Sequence, residues 1–387
     1  MNILVIAHYQ DDGSPYVSFV HSQVVEFVKQ GHNVNVVVPT VFGKRYRYLK
    51  NRSHTVIDDI PIWYVDCLSF SNYGKYSINN LLGYRTVASA VKKILKEYSI
   101  DIIHAHTIGF DGHLAVKLKE KYHIPVVITT HGSDTIAEIN LGKGEYLAKI
   151  CKNADYIVAV SSKLKNLLLE VCPSLKISVI MNGFHMLPSL SVAKEPYTLL
   201  QVGSLIKRKN TDLTIAAFEK ILKKYPQARL EIIGRGDEEA KLKQLCKDLQ
   251  IDKFVTFYEY LANEEVLEHM ARSQVFIMPS INEGFGIVYI EALSQKCVVI
   301  GTRGEGIEDI IKNEENGFLI NPGKSEDIAD IVIKCLTYSD YCREIANKGF
   351  ETSKELTWEN NAKSYLKLFD KIVSAYNACC DGGIRLI

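Results

Sequence analysis

The run Val275-Phe276-Ile277-Met278 is apolar at every position, so both of its faces must be buried. A strand this short meets that condition inside a parallel sheet covered on both sides. It leads through Pro279-Ser280-Ile281-Asn282-Glu283-Gly284-Phe285-Gly286 into 287–294, whose apolar spacing predicts a helix packed on the sheet. The Gly-x-Gly turn brings backbone N–H groups together at the helix N-terminus, where an anion is favoured. Two carboxylates bracket the turn, Glu283 in the loop and Glu291 in the helix, with seven residues between them. A Gly-x-Gly alone says little; framed by these glutamates it marks a binding site.

Strand–helix alternation extends over the rest of the chain. Strands are predicted at 2–7, 34–38 (stopped by Pro39), 101–106, 125–130, 156–160 and 176–181. Helices separate them at 16–30, 78–97, 111–122, through 147–152, and after Ser161-Ser162. Polar and turn-forming residues at 187–196 mark a linker. A second series follows, with strands at 197–202, 229–233, 254–258, 275–278, 297–300 and 316–320. Its helices lie at 212–224 and 238–249, after Asn263 as a cap, at 287–294, 325–337 and 340–353, and last at 358–376. The pattern predicts an α/β chain of two Rossmann-like domains with parallel sheets facing a central cleft. The expected domains are 1–188, rejoined by the C-terminal helix 358–387, and 189–357. A length of 387 residues exceeds what one core usually supports. The loop after the first strand lacks G-x-G-x-x-G, which disfavours NAD.

Composition narrows the class. With 47% apolar and 24% charged residues the chain reads as an ordinary soluble protein, and a net charge of +1 gives no reason to expect nucleic-acid binding. The first half nevertheless carries an excess of about five bases. Lys44, Arg45 and Arg47 lie in a basic stretch interleaved with aromatics, which reads either as a solvated loop or as a contact for a membrane surface or phosphorylated acceptor. Lys92, Lys93 and Lys96 add to it from a helix. The nine cysteines are scattered without CxxC or Cys/His clusters, so no metal site is expected and a reduced, cytosolic setting fits. The start of the chain lacks the basic n-region of a signal peptide, and no 18-residue apolar run predicts a membrane span.

Other polar candidates sit at predicted strand ends. His131 follows the strand 125–130, at the carboxyl end where a cleft residue belongs. His104 and His106 alternate along one strand and are assigned to opposite faces, His106 towards the cleft and His104 in the core. His131 with His106 lacks a third ligand, which argues against metal. Lys207-Arg208-Lys209 places three cations after the turn Gly203-Ser204. Arg235, between Gly234 and Gly236, is a candidate cation or a plain turn residue.

These motifs together resemble the retaining GT-B glycosyltransferases of glycosyltransferase family 4, over nearly the whole chain. The strongest likeness lies in 279–301 with Asn316-Gly317-Phe318-Leu319. It is supported by Asp101-Ile102-Ile103-His104-Ala105-His106, His131-Gly132-Ser133-Asp134, Asn182-Gly183, and Gly203-Ser204-Leu205 with Lys209. Gly304-Glu305-Gly306-Ile307 is similar to a variant of surface-polysaccharide and teichuronic-acid-type enzymes.

The resemblance implies a nucleotide-diphosphate sugar held mainly by the second domain. Backbone at Gly284, Phe285, Gly286 and Ile287 would meet sugar hydroxyls and phosphate, Glu283 the transferred sugar, and Glu291 the ribose. Lys209 would neutralise the leaving diphosphate, where negative charge grows in the transition state. Gly203, Ser204, Arg208 and Gly234 complete the implied donor site, Gly13 would admit phosphate at the first loop, and His131 would stand near the reacting carbon. His106, Asp134 and the basic stretch fall on the acceptor or membrane side. Ser204 stands where the family often has Arg, with Lys207 or Arg208 to compensate; Asn210 and Glu259 replace frequent glycines, and Asp12-Gly13-Ser14-Pro15 replaces a Gly-Gly pair. The implied reaction is front-side transfer of a hexose or N-acetylhexosamine with retention, independent of metal or other cofactor. A UDP-sugar is favoured over GDP-mannose. The implied acceptor is a saccharide, lipid-linked, in surface-polysaccharide synthesis on the cytoplasmic membrane face. A nucleotide-sugar epimerase, a phosphorylase and a non-catalytic nucleotide-sugar-binding subunit remain open alternatives.

Overall fold

The computed structural model describes residues 1–7, 18–41, 54–67, 76–186 and 192–381. The chain divides into two compact units, Met1–Gly183 with Trp358–Ile387, and Phe184–Thr357.

The first unit is built on eight strands. They are β1 (Asn2–Ile6), β2 (Asn33–Val41), β3 (His54–Ile57), β4 (Ile60–Cys67), β5 (Ile102–Ala105), β6 (Val126–Thr130), β7 (Tyr156–Ala159) and β8 (Ile177–Val179). Their order is β3-β4-β2-β1-β5-β6-β7-β8, and every pairing is parallel except β3 with β4. Successive side chains of β1 alternate faces. Ile3 and Val5 enter one apolar layer, and Leu4 and Ile6 enter the other. The helix Trp358–Asp381 covers the first of these layers with Ala362, Tyr365, Leu366 and Phe369, a 3–4 spacing that puts all four on one stripe. Phe369 is fully buried with its ring 5.8 Å from that of Phe27. Phe369→Ala is therefore expected to destabilise the first unit by about 3–5 kcal/mol, measured as a lowered urea midpoint.

Three expectations for this unit change. The antiparallel β3–β4 hairpin was not predicted, because its turn is Asp58-Asp59 rather than a glycine pair. Both aspartates take positive φ (50° and 62°), which the short polar side chain tolerates. Pro39 does not stop β2, which continues to Val41. Val37 faces β1, its carbonyl accepting from Ala7 N–H at 3.2 Å. Two residues on, Pro39 faces the same side after β1 has ended, so its missing donor costs no ladder bond. Third, His104 and His106 do not face opposite ways: their rings lie 4.2 Å apart. Residues two apart on a strand share a face.

The second unit holds β9 (Thr198–Val202), β10 (Arg229–Ile233), β11 (Val255–Tyr258), β12 (Val275–Ile277), β13 (Val298–Thr302) and β14 (Phe318–Ile320). All pair in parallel in the order β11-β10-β9-β12-β13-β14. This is the doubly wound order 3-2-1-4-5-6, which opens a ligand crevice between its first and fourth strands. Asn263 is the first residue of the helix Asn263–Arg272, not its cap; Glu265 closes that end by accepting Ala262 N–H at 2.8 Å. Among the described residues no helix is long and apolar enough to cross a membrane.

Candidate active site

In the second unit the carboxyl ends of β9 and β12 lie side by side at the switch point. Gly203 follows β9 with φ of 152°, and a Cβ on Gly234 would stand 2.0 Å from its carbonyl oxygen. The turns after β9 and β10 thus touch backbone to backbone, so Gly234 has a packing reason to be glycine. Ser204 is exposed beside them.

A single 3-10 turn, Lys207–Lys209, follows. Asn210 ends it in the left-handed region (φ 48°) and donates to Pro279 O at 2.9 Å. Ile281 N–H donates to Arg208 O at 2.8 Å, which binds the cationic turn to the loop after β12. Across that junction Lys209 Nζ lies 2.5 Å and Arg208 3.0 Å from the same oxygen, Oε2 of Glu283. Lys209 is only 9% exposed, and its Nζ also lies 3.6 Å from Met278 Sδ. The two cations and the carboxylate predicted for one site are indeed brought together.

The loop is fixed from its other side by Glu305. Its carboxylate, itself buried, accepts Asn282 N–H at 3.1 Å and Glu283 N–H at 2.8 Å. A Cβ on Gly306 would meet Gly284 O at 2.3 Å, so the Gly-Glu-Gly turn lies directly against the loop. Gly286, with φ of 85°, opens the helix Ile287–Ser294. Phe285 is buried, leaving backbone as its polar offering. Tyr289 donates its hydroxyl to Met278 O at 2.6 Å, and burial drives its phenol well above the usual range.

Glu291 lies on that helix, half-buried, and its carboxylate has no ion-pair or hydrogen-bond partner among the described residues. Burial pushes its carboxyl up to about 7. An unpartnered carboxylate in such surroundings is a ready acceptor for ligand hydroxyls.

In the first unit β6 delivers His131, and Gly132 (φ 112°) starts the helix Ser133–Asn140, which contains Asp134. His131 Nε2 lies 3.1 Å from His106 Nδ1, and the two rings are parallel. His104 Nε2 bonds Thr129 Oγ1 at 2.8 Å, and that hydroxyl reaches Tyr365 at 3.0 Å. His104 is thus tied to the C-terminal helix. His131 Nδ1 and His106 Nε2 are buried without partners among the described residues. Burial lowers His131 and His104 to about 3 and His106 well below its ordinary value, so all three are neutral imidazoles near pH 7. No group of three or more His, Cys, Asp or Glu poised to hold a metal occurs among the described residues. Gly13, Lys44, Arg45 and Arg47 lie outside the described residues.

Residues 17–186 match the family described as Glycosyltransferase Family 4, and residues 186–352 match Glycosyl transferases group 1. The chain belongs to the group 1 glycosyltransferases, GT-B in fold, with a family 4 first half. It is 28% identical to an uncharacterized glycosyltransferase of Methanocaldococcus jannaschii over 73% of this chain and 78% of the relative. It is 25% identical to the putative teichuronic acid biosynthesis glycosyltransferase TuaC of Bacillus subtilis, covering 86% and 88%. Among solved structures, sucrose-phosphate synthase of Thermosynechococcus elongatus superposes with a TM-score of 0.78 at 18% identity, covering 97% of this chain and 99% of that one. Anabaena HepE in complex with UDP-glucose superposes with a TM-score of 0.73 at 17% identity, covering 96% and 100%.

Two residues of this glycosyltransferase escaped the sequence reading as site components. Glu305 stood out only as part of a variant motif, since nothing in a sequence shows that a carboxylate over twenty positions away will cap two N–H groups. Tyr289 read as one more apolar helix position. Glu305→Ala leaves both N–H groups unpaired, at a cost of about 1–3 kcal/mol to the loop. Faster amide exchange at Asn282 and Glu283, with reduced glycosyl transfer, is the expected result by hydrogen-exchange mass spectrometry.

Proposed function

We propose that this glycosyltransferase moves a hexose or N-acetylhexosamine, with retention, from a nucleotide-diphosphate sugar to a saccharide acceptor in cell-surface glycan synthesis. The observation that carries the reading is the arrangement at the switch point of the second unit. Arg208 and Lys209 converge on one spot beside a helix N-terminus, while Glu291 offers a free carboxylate on that same helix. Paired cations suit a diphosphate, and the carboxylate suits a ribose diol.

The roles follow from chemistry. Lys209 and Arg208 take up the charge that collects on the departing diphosphate, a task that requires no metal. Neutral His131 can accept or donate one hydrogen bond to a ligand without adding charge. Glu283 serves the sugar hydroxyls. The departing phosphate deprotonates the acceptor on the same face, which preserves configuration. A uridine donor is favoured by the fold shared with Anabaena HepE, whose structure contains UDP-glucose. A cell-surface glycan acceptor is favoured by the likeness to the teichuronic acid biosynthesis protein, and a lipid-linked one at the cytoplasmic membrane face by the basic bias of the first half.

The test is nucleotide release from a panel of UDP-, GDP- and ADP-sugars, with Glu291→Gln as control. Slow hydrolysis of one donor, lost in the control, supports the reading. Absence of binding to every nucleotide overturns it.

A further inference from the structure

The cations that suit a diphosphate are already occupied. Lys209 Nζ and Arg208 both bond Oε2 of Glu283, whose side chain is 13% exposed, against 11% for Lys209 and 36% for Arg208. An arriving diphosphate must take those cations from Glu283. We propose that Glu283 is a specificity determinant: an internal anion that competes with the diphosphate and so favours the sugar-bearing nucleotide over the bare one. This rests on the donor reading above.

The physical reason lies in what Glu283 gains when displaced. With a sugar attached to the diphosphate, the freed carboxylate accepts hydrogen bonds from sugar hydroxyls, which replace the lost ion pair. With a bare nucleoside diphosphate there is no such partner. A largely buried carboxylate stripped of its cations is costly, so it returns to Lys209 and opposes the diphosphate. The same competition favours release of the nucleotide once its sugar has gone. Glu305 makes the exchange local. It holds the N–H groups of Asn282 and Glu283 wherever the Glu283 side chain points, so only side-chain torsions need change.

Titration calorimetry of the wild type and Glu283→Gln with UDP, GDP and ADP, and with the corresponding sugar nucleotides, tests this. The glutamine keeps the shape of the side chain but cannot neutralise Lys209. The variant is expected to bind its bare diphosphate at least tenfold more tightly than the wild type does, and to lose most of its relative preference for the sugar-bearing form. Turnover falls at the same time, so tighter binding and slower transfer appear together. Equal or weaker binding of bare diphosphate by the variant overturns the proposal while leaving the donor reading intact. If neither protein binds any nucleotide, both fail. Glu283→Ala provides a second variant with the same expected direction should Glu283→Gln fold poorly.

Discussion

Lys209→Met is expected to lower glycosyl transfer by about 10²–10³-fold, the range for removing one preorganised charge-stabilising group. Lys209 is nearly buried, its backbone is set by the left-handed Asn210 cap, and its ammonium lies at the switch point of the sheet. A cation held this way needs no reorganisation as charge builds on the leaving diphosphate, and water cannot replace it. Methionine keeps an unbranched side chain but removes the ammonium from Met278 Sδ and leaves Glu283 with Arg208 alone. Part of the loss would therefore be structural, because an under-paired buried carboxylate destabilises the fold. The double variant Lys209→Met/Glu283→Gln, compared with Glu283→Gln alone, separates the two contributions. Its melting temperature should return towards that of the wild type while transfer remains low. Recovery of transfer in the double variant would remove Lys209 from the chemistry.

Glu291→Gln is expected to stabilise the free protein at pH 8 while weakening nucleotide binding by about 10–100-fold, the worth of hydrogen bonds to a charged group. The sign follows from burial. The folded carboxyl is raised to about 7, above its ordinary value of 4.5, so the native state holds its proton longer than the unfolded chain does. Wild-type stability therefore falls as pH rises from 4.5 to 7, and the loss is complete above 7. Because the side chain is only half-buried, the difference at pH 8 is about 1–3 kcal/mol. Below pH 4.5 the two proteins should melt alike. Ribose hydroxyls would bond the ionised form, so wild-type nucleotide affinity should rise from pH 6 to pH 8, while that of the variant stays flat. Denaturant titrations and calorimetry across this range measure both effects. A carboxylate that weakens the fold and strengthens binding is what a ligand site looks like in the absence of its ligand.

Much of this was legible in the sequence because it depends on local order. Buried strands with the turn residues after them identify both parallel sheets, since an all-apolar run admits few other settings. The 3–4 spacing of Trp358, Ala362, Tyr365, Leu366 and Phe369 marks a helix with one buried stripe. The spacing of Glu283 and Glu291 singles out one loop and helix because both lie within one strand–turn–helix unit. Asn316, by contrast, stands in the stretch of strongest family likeness, yet its buried amide donates to Ile310 O and Thr352 at 3.0 Å each, a structural clasp.

What the sequence by itself determined is the class of fold, the family, and the residue types at the turn after β12, all encoded by neighbours along the chain. Only the tertiary structure decided which of those groups meet. The shared oxygen of Glu283, the cap from Glu305, the three imidazoles on one face of the first sheet and the lone carboxylate of Glu291 all depend on burial and on contacts between distant segments. Periodicity reports where a side chain points relative to its own element. It is silent on what has been folded against it, and the charge state of a site is set there.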